Sequence, residues 1–206
     1  MKLCIRVPVR NDLHPELARW LASVARGSPS ADIGLTHTFG YGIAEGRNII
    51  TQEFKATDCT HLWMIDSDVV PPGNLNILDL VEEHPVVAAP YRTFKDGAIL
   101  WQVYCAGGMS GEMQLYRCIP SNEWPKGRPF WAPVAGTGCM IVRRDVFERV
   151  GYTPWKFKRA FVDGIFRLSG EDFDFCEQTG GVMMDPEYIC EHYREIPLNR
   201  VKGVQA

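Results

Sequence analysis

His61-Leu62-Trp63-Met64-Ile65-Asp66-Ser67-Asp68-Val69-Val70-Pro71-Pro72 is an apolar run of strand length that delivers two carboxylates at i and i+2 before a proline pair stops it. Side chains of an extended chain alternate faces, so the pattern predicts Asp66 and Asp68 on one side with Ser67 between them. A wholly hydrophobic strand reads as the interior of a sheet covered on both faces. Acids at its end then fall at the carboxyl edge, where open α/β sheets bind ligands. Two hard oxygen ligands there suit Mg2+ or Mn2+, which take a few carboxylates together with substrate phosphates. The same tripeptide also reads as a plain turn in which Asp66 or Asp68 caps a backbone amide.

Outward from this strand, helices and strands alternate. Residues 2–9 read as a first strand that breaks at Arg10-Asn11-Asp12. Residues 15–26 place Leu17, Trp20, Leu21 and Val24 at helical spacing, with Pro15 near the start and Gly27 just past the end. A strand is expected at 33–39, helices at 43–57 and 74–83, and a short apolar strand at 86–90. Such alternation predicts an α/β, Rossmann-like fold with a mostly parallel central sheet flanked by helices. After Tyr91 the segment 92–131 is rich in Gly, Pro and aromatics, and 100–105 with 113–119 reads as a small hairpin around Gly107-Gly108-Met109-Ser110-Gly111. A strand at 138–143 and a helix at 144–150 lead back to the sheet, followed by a loop over 151–169, a helix over 170–179 and a tail over 186–206. Without a repeat or a linker, residues 1–206 read as one domain, with 1–90 and 91–206 as its halves.

At 206 residues, 46% hydrophobic and 11% aromatic, the chain has material for one well-filled core and none of the marks of disorder. A formal charge of −3 without a basic block excludes a nucleic-acid footprint. No apolar stretch approaches about 18 residues and no apolar leader follows the N-terminus, so a membrane span and a signal peptide are not expected. The seven cysteines lack a C-x-x-C pair and sit mostly in apolar runs, as in Leu3-Cys4-Ile5 and Gly138-Cys139-Met140. They read as reduced, buried thiols of a cytoplasmic protein rather than as disulfides or zinc ligands.

Three further segments bear on chemistry. Ser169-Gly170-Glu171-Asp172-Phe173-Asp174 opens a helix with acids in its first turn, where they also simply favour the helix dipole. Gly136-Thr137-Gly138 precedes a buried strand and permits close backbone approach to a ligand, or makes an ordinary turn. Cys190-Glu191-His192-Tyr193 places a histidine near the C-terminus. In this order, together with Val7-Pro8-Val9-Arg10-Asn11, Arg47-Asn48 and Asp66-Ser67-Asp68, they resemble the GT-A glycosyltransferases, closest to their family-2-like branch.

The resemblance runs from Ile5 to about Pro197. It implies a GT-A fold, a nucleotide-binding first half and an acceptor-binding second half. It implies that Pro8, Arg10, Arg47, Asp66, Ser67, Asp68, Gly136 and Gly138 meet a nucleotide-sugar donor. Asp68, Asp66 and His192 would hold Mn2+ or Mg2+, Asp172 would be the general base of an inverting transfer, and Glu171 would help position donor or acceptor. The implied reaction moves a hexose from a nucleotide-diphosphate sugar to a hydroxyl of a glycan or glycoconjugate. The family's acidic turn after the second strand is replaced by Thr36-His37-Thr38-Phe39-Gly40, so the base contact does not carry over; uridine is implied only as the commonest base. The tryptophans of 92–131 offer faces for a sugar or plain core packing. Lys156, Lys158 and Arg159 read either as a lid over the diphosphate or as a solvated basic loop. A sugar nucleotidyltransferase and a non-catalytic sugar- or nucleotide-binding module are the alternatives, the first weakened by the lack of a Gly-rich loop after the first strand.

Overall fold

Alternate residues of the apolar strands sort onto two faces, and each face recruits its own helices. The chain is described from a computed structural model, which covers residues 1–95, 97–110, 113–162 and 165–193. The first half comprises β1 (Leu3–Val9), α1 (Pro15–Gly27), β2 (Asp32–His37), α2 (Ile43–Lys55), β3 (His61–Ile65), β4 (Val69–Val70), α3 (Ile77–Glu83) and β5 (Val86–Ala88). The strands β6 (Arg92–Lys95), β7 (Ala98–Trp101), β8 (Val103–Ser110), β9 (Met113–Cys118), β10 (Phe130–Ala132), β11 (Val134–Ala135) and β12 (Cys139–Arg143) follow. The chain continues through α4 (Arg144–Val150), β13 (Lys158–Val162), β14 (Ile165–Ser169), α5 (Glu171–Thr179), β15 (Val182–Met184) and β16 (Glu191–His192).

The central sheet has the order β10-β15-β5-β12-β3-β1-β2. β1 pairs in parallel with β2 and β3, and β5 with β15, whereas β12 runs antiparallel between β3 and β5, and β10 antiparallel at the edge. The expected α/β class and mostly parallel sheet are therefore observed. On one face Cys4, Leu62, Met64, Met140 and Val142 pack with Ile50 and Phe54 of α2, Val146 and Phe147 of α4, and Phe175 of α5. On the other, Ile5, Val7, Trp63, Ile65 and Ile141 pack with Leu17, Trp20 and Val24 of α1 and Ile77 and Val81 of α3. Loss of one such side chain, as in Phe54→Ala, costs about 3–5 kcal/mol.

Several boundaries differ from expectation for local reasons. α3 starts at Ile77 because the Asn74 side chain accepts from the Asn76 amide at 3.1 Å and holds a turn ahead of it. The aromatic segment makes two hairpins, β6–β7 and β8–β9, where one was expected, and 107–110 extend β8 instead of forming the turn. The expected loop over 151–169 contains the β13–β14 hairpin. In the expected tail, β16 pairs with β4, joining His192 to Val69 in register; residues 194–206 lie outside the described residues.

Candidate functional site

The carboxyl edge of the sheet gathers segments far apart in sequence. β3 ends at Ile65, and Asp66–Asp68 turn instead of extending, closed by the Val69 amide donating to the Asp66 carbonyl at 3.0 Å. Strand alternation therefore does not govern the two acids, and they meet different partners. The Asp66 amide donates to the Gly138 carbonyl at 2.9 Å, and its carboxylate accepts from Arg47 Nη2 at 3.1 and 3.3 Å. The Asp68 carboxylate lies 3.2 Å from His192 Nε2. The turn is pinned from both sides: the His14 amide donates to the Ser67 carbonyl at 2.9 Å and the Tyr193 amide to the Asp68 carbonyl at 2.8 Å. The rings of His14 and Tyr193 stack face to face at 4.0 Å.

α2 brings Arg47 in from below. Its side chain is 4% exposed, and it pairs with Glu171 at the start of α5 as well as with Asp66. Its Nε has no hydrogen-bond partner among the described residues. Burial opposes the Arg47 charge, but Asp66, Glu171 and Asp172 outweigh it and raise its pKa. The neighbouring Asn48 ties α2 to the segment ahead of β13, since its side chain donates to the Trp155 carbonyl at 2.9 Å and accepts from the Trp155 amide at 3.1 Å. Trp155 in turn stacks on Phe175 at 4.0 Å, which fixes α5 against α2.

Gly170 caps α5 on its N-terminal side, and a side chain there would collide with the Asp172 carboxylate, which folds back to accept from the Phe173 amide at 2.9 Å. Burial and then the adjacent Glu171 charge push the Asp172 carboxyl up to about 6. Glu171 itself is buried against Arg47. Of the two acids expected to act, Asp172 is therefore the partly open one.

Tyr91, which follows β5 closely, is not marked out by its sequence. Its hydroxyl accepts from the Gly138 amide at 3.2 Å, and its ring meets the His192 ring edge-on at 5.4 Å. A Cβ at Gly138 would lie 2.7 Å from Tyr91 Cζ, and one at Gly136 would strike the Tyr91 hydroxyl. The close approach that these glycines permit is thus taken by Tyr91. Burial raises its phenol pKa, followed by the charges of Asp66 and Asp172. The one available hint is its place just after an apolar strand, at the carboxyl edge of the sheet.

His192 Nδ1 lies 2.7 Å from the Arg92 carbonyl, which can only accept, so that nitrogen carries a proton. In the neutral ring the lone pair is then on Nε2, beside the Asp68 carboxylate. Burial works against the imidazolium, but the contacts with Asp68 and the Arg92 carbonyl prevail and raise the pKa. A carbonyl that accepts from Nδ1 is a usual way of orienting a ligand histidine. Asp66, Asp68, Glu171 and Asp172 together outnumber Arg47 and the exposed Arg10, and a divalent cation would offset the surplus of carboxylates. Asp68 and His192 fit such an ion; the Asp66 carboxylate is engaged by Arg47.

The remaining expected residues divide between edge and scaffold. Pro8 is paired in register with Thr36, and Arg10 is exposed just past the end of β1, at the same edge as Asp66. Trp101 and Trp124 pack edge-on at 4.8 Å, and Tyr104 and Tyr116 flank Phe173 of α5, so these aromatics serve the core. Trp131 is 57% exposed. Lys158 pairs with Glu177 and, at 3.9 Å, with Asp174 on α5, whereas Lys156 is exposed and the Arg159 side chain lies outside the described residues.

No family model matches the sequence, and no curated protein matches it. Among solved structures, A197 from STIV is similar over 95% of this chain and 87% of its own, at 15% identity and a TM-score of 0.67. A UDP-glucose pyrophosphorylase complexed with UDP-glucose is similar over 94% of this chain and 92% of its own, at 10% identity and a TM-score of 0.49. A glycosyltransferase involved in the glycosylation of the major capsid of PBCV-1 is similar over 74% of this chain and 69% of its own, at 12% identity and a TM-score of 0.36. At such identities the likeness is one of fold, and the chain shares that of A197 almost end to end.

Proposed function

We propose that the chain is a metal-dependent glycosyltransferase of the GT-A type, moving a hexose from a nucleotide-diphosphate sugar, with UDP as first choice, to a hydroxyl of a glycan or glycoconjugate. The observation that carries the proposal is the pairing of Asp68 with His192 Nε2, the ring held from its other nitrogen by the Arg92 carbonyl, on the same sheet edge as Asp172. Mn2+ or Mg2+ held by Asp68 and His192, with Asp66 close by, would neutralise charge on the departing diphosphate. Arg47 orients Asp66 and Glu171 from beneath.

In the proposed step the acceptor oxygen attacks the anomeric carbon as the bond to the diphosphate oxygen breaks. The hydroxyl proton goes to the Asp172 carboxylate, and the electron pair leaves with the nucleoside diphosphate. A carboxyl near 6 is a stronger base than an ordinary one yet still mostly ionised at neutral pH, which suits this role. Single-step displacement inverts the anomeric centre. The binding part is tested by calorimetry with UDP-, GDP-, CMP- and dTDP-sugars, with and without Mn2+. Metal-dependent binding of one nucleotide class is expected, and folded protein that binds none refutes the reading. A sugar nucleotidyltransferase would instead release pyrophosphate from a nucleoside triphosphate and a sugar 1-phosphate, and a non-catalytic module would bind without turnover.

A further inference from the structure

We infer that the opposite edge of the sheet carries a second, thiolate cation site formed by Cys4, Cys59 and Asp32, suited to Zn2+. Cys4 is the second residue of β1, Asp32 opens β2, and Cys59 lies just ahead of β3, so the starts of three neighbouring strands bring the donors together. The two sulfurs and a carboxylate oxygen all lie within 4.8 Å of one another. Cys4 is 0% and Cys59 5% exposed, whereas Asp32 opens to solvent, which leaves room for a fourth ligand such as water. Zinc–sulfur bonds of about 2.3 Å require only a modest contraction of this triangle.

Charge supports the same assignment. Binding releases both thiol protons to the buffer, and Zn2+ with two thiolates and one carboxylate has a net charge of −1. Arg6, which Glu53 also faces at 3.7 Å, supplies positive charge beside it: its Nη2 donates to Asp32 Oδ2 at 2.7 Å and its Nη1 to the Asp32 carbonyl at 2.9 Å. The absence of a side chain on Gly34 leaves the guanidinium its place, for a Cβ there would lie 3.2 Å from it. Soft sulfur donors separate this site from the oxygen-rich edge at Asp68, which prefers Mg2+ or Mn2+. Because the site lies across the sheet from Asp172, its ion would brace the starts of β1, β2 and β3 and take no part in transfer.

The test is titration of the reduced, chelator-treated full chain with Co2+, followed by displacement with Zn2+. A sulfur-to-cobalt charge-transfer band saturating at one ion per chain is expected, unaffected by excess Mg2+. Calorimetry in buffers of different ionisation enthalpy should read two protons released per Zn2+. Cys4→Ser and Cys59→Ser should each abolish the band, Asp32→Asn should weaken binding at least about tenfold, and Cys139→Ser should leave it intact. Circular dichroism establishes that each variant is folded; Asp32→Asn, on a half-exposed side chain, serves should a cysteine variant not fold. No band in the parent chain, or a band that survives in folded Cys4→Ser and Cys59→Ser, overturns the inference.

Discussion

Replacing Asp172 by Asn should make the protein more stable above neutral pH and no more stable in acid. The carboxyl has its pKa at about 6 in the folded chain against an ordinary 3.8. The native state therefore binds this proton more tightly than the unfolded one. Between these two values the folded chain holds more protons, so this group's contribution to stability falls as pH rises through the window and then levels off. A gap of that width, at about 1.36 kcal/mol per pH unit, comes to roughly 2–3 kcal/mol above pH 7. Asparagine removes the charge while its side-chain oxygen still accepts from the Phe173 amide, so the local turn is kept. In a chain of this length that energy corresponds to a rise in Tm of about 5–10 °C. Differential scanning calorimetry of both proteins at pH 4 and pH 8, in chelator so that no cation screens the site, reads it directly. Equal Tm values at pH 8, or a variant less stable than the parent there, would refute the account of Asp172.

The same variant should lose transfer by about 10²–10⁴-fold with donor affinity nearly unchanged, and the parent rate should rise with pH through about 6; normal turnover would remove Asp172 from the mechanism. Asp68→Ala and His192→Ala should each abolish the Mn2+-dependent part of donor binding, as read by calorimetry, and an unchanged Mn2+ titration would eliminate that role. Arg47→Leu leaves the buried Glu171 carboxylate unpaired and should cost about 3–5 kcal/mol in urea unfolding. Much of that loss should return in Arg47→Leu with Glu171→Leu; simply additive losses would show that the pair is not coupled. Gly138→Ala forces Tyr91 aside and should destabilise by about 1–3 kcal/mol, an effect that Tyr91→Phe does not reproduce.

The sheet is legible in the sequence because its strands are apolar and its helices periodic, signals that depend on burial alone. The order of Asp66, Asp68, Asp172 and His192 is legible as a pattern, and all four stand at one edge. The geometry of the tripeptide is not, because a strand-length apolar run says where the strand lies but not that it stops at Ile65. Nor does the sequence assign Tyr91: an aromatic beside an apolar strand looks like core until Gly136 and Gly138 are seen to make room for it. Arg47 reads as a binding residue or a solvated one, whereas burial between two carboxylates is a property of the folded chain. The hairpin over 158–169 escapes a reading by pattern because the Gly and Pro punctuation around it resembles loop.

The two pairs that build the site, Arg47 with Glu171 and Asp68 with His192, each join residues 124 apart in sequence. Neither can be held by local structure, and the ordering entropy of such long closures is met only when the whole sheet is in place. Long-range pairing of this kind is slow, so these contacts are expected to form late in folding. During synthesis the chain should acquire its core before its chemistry: β3 can pair with β1 while the acid turn has only Arg47 and His14 as partners, and the turn is completed only when residues 191–193 dock. Collapsed chains that have not reached that step would be compact, largely buried and inert, so recovery of activity should lag behind recovery of fluorescence in refolding.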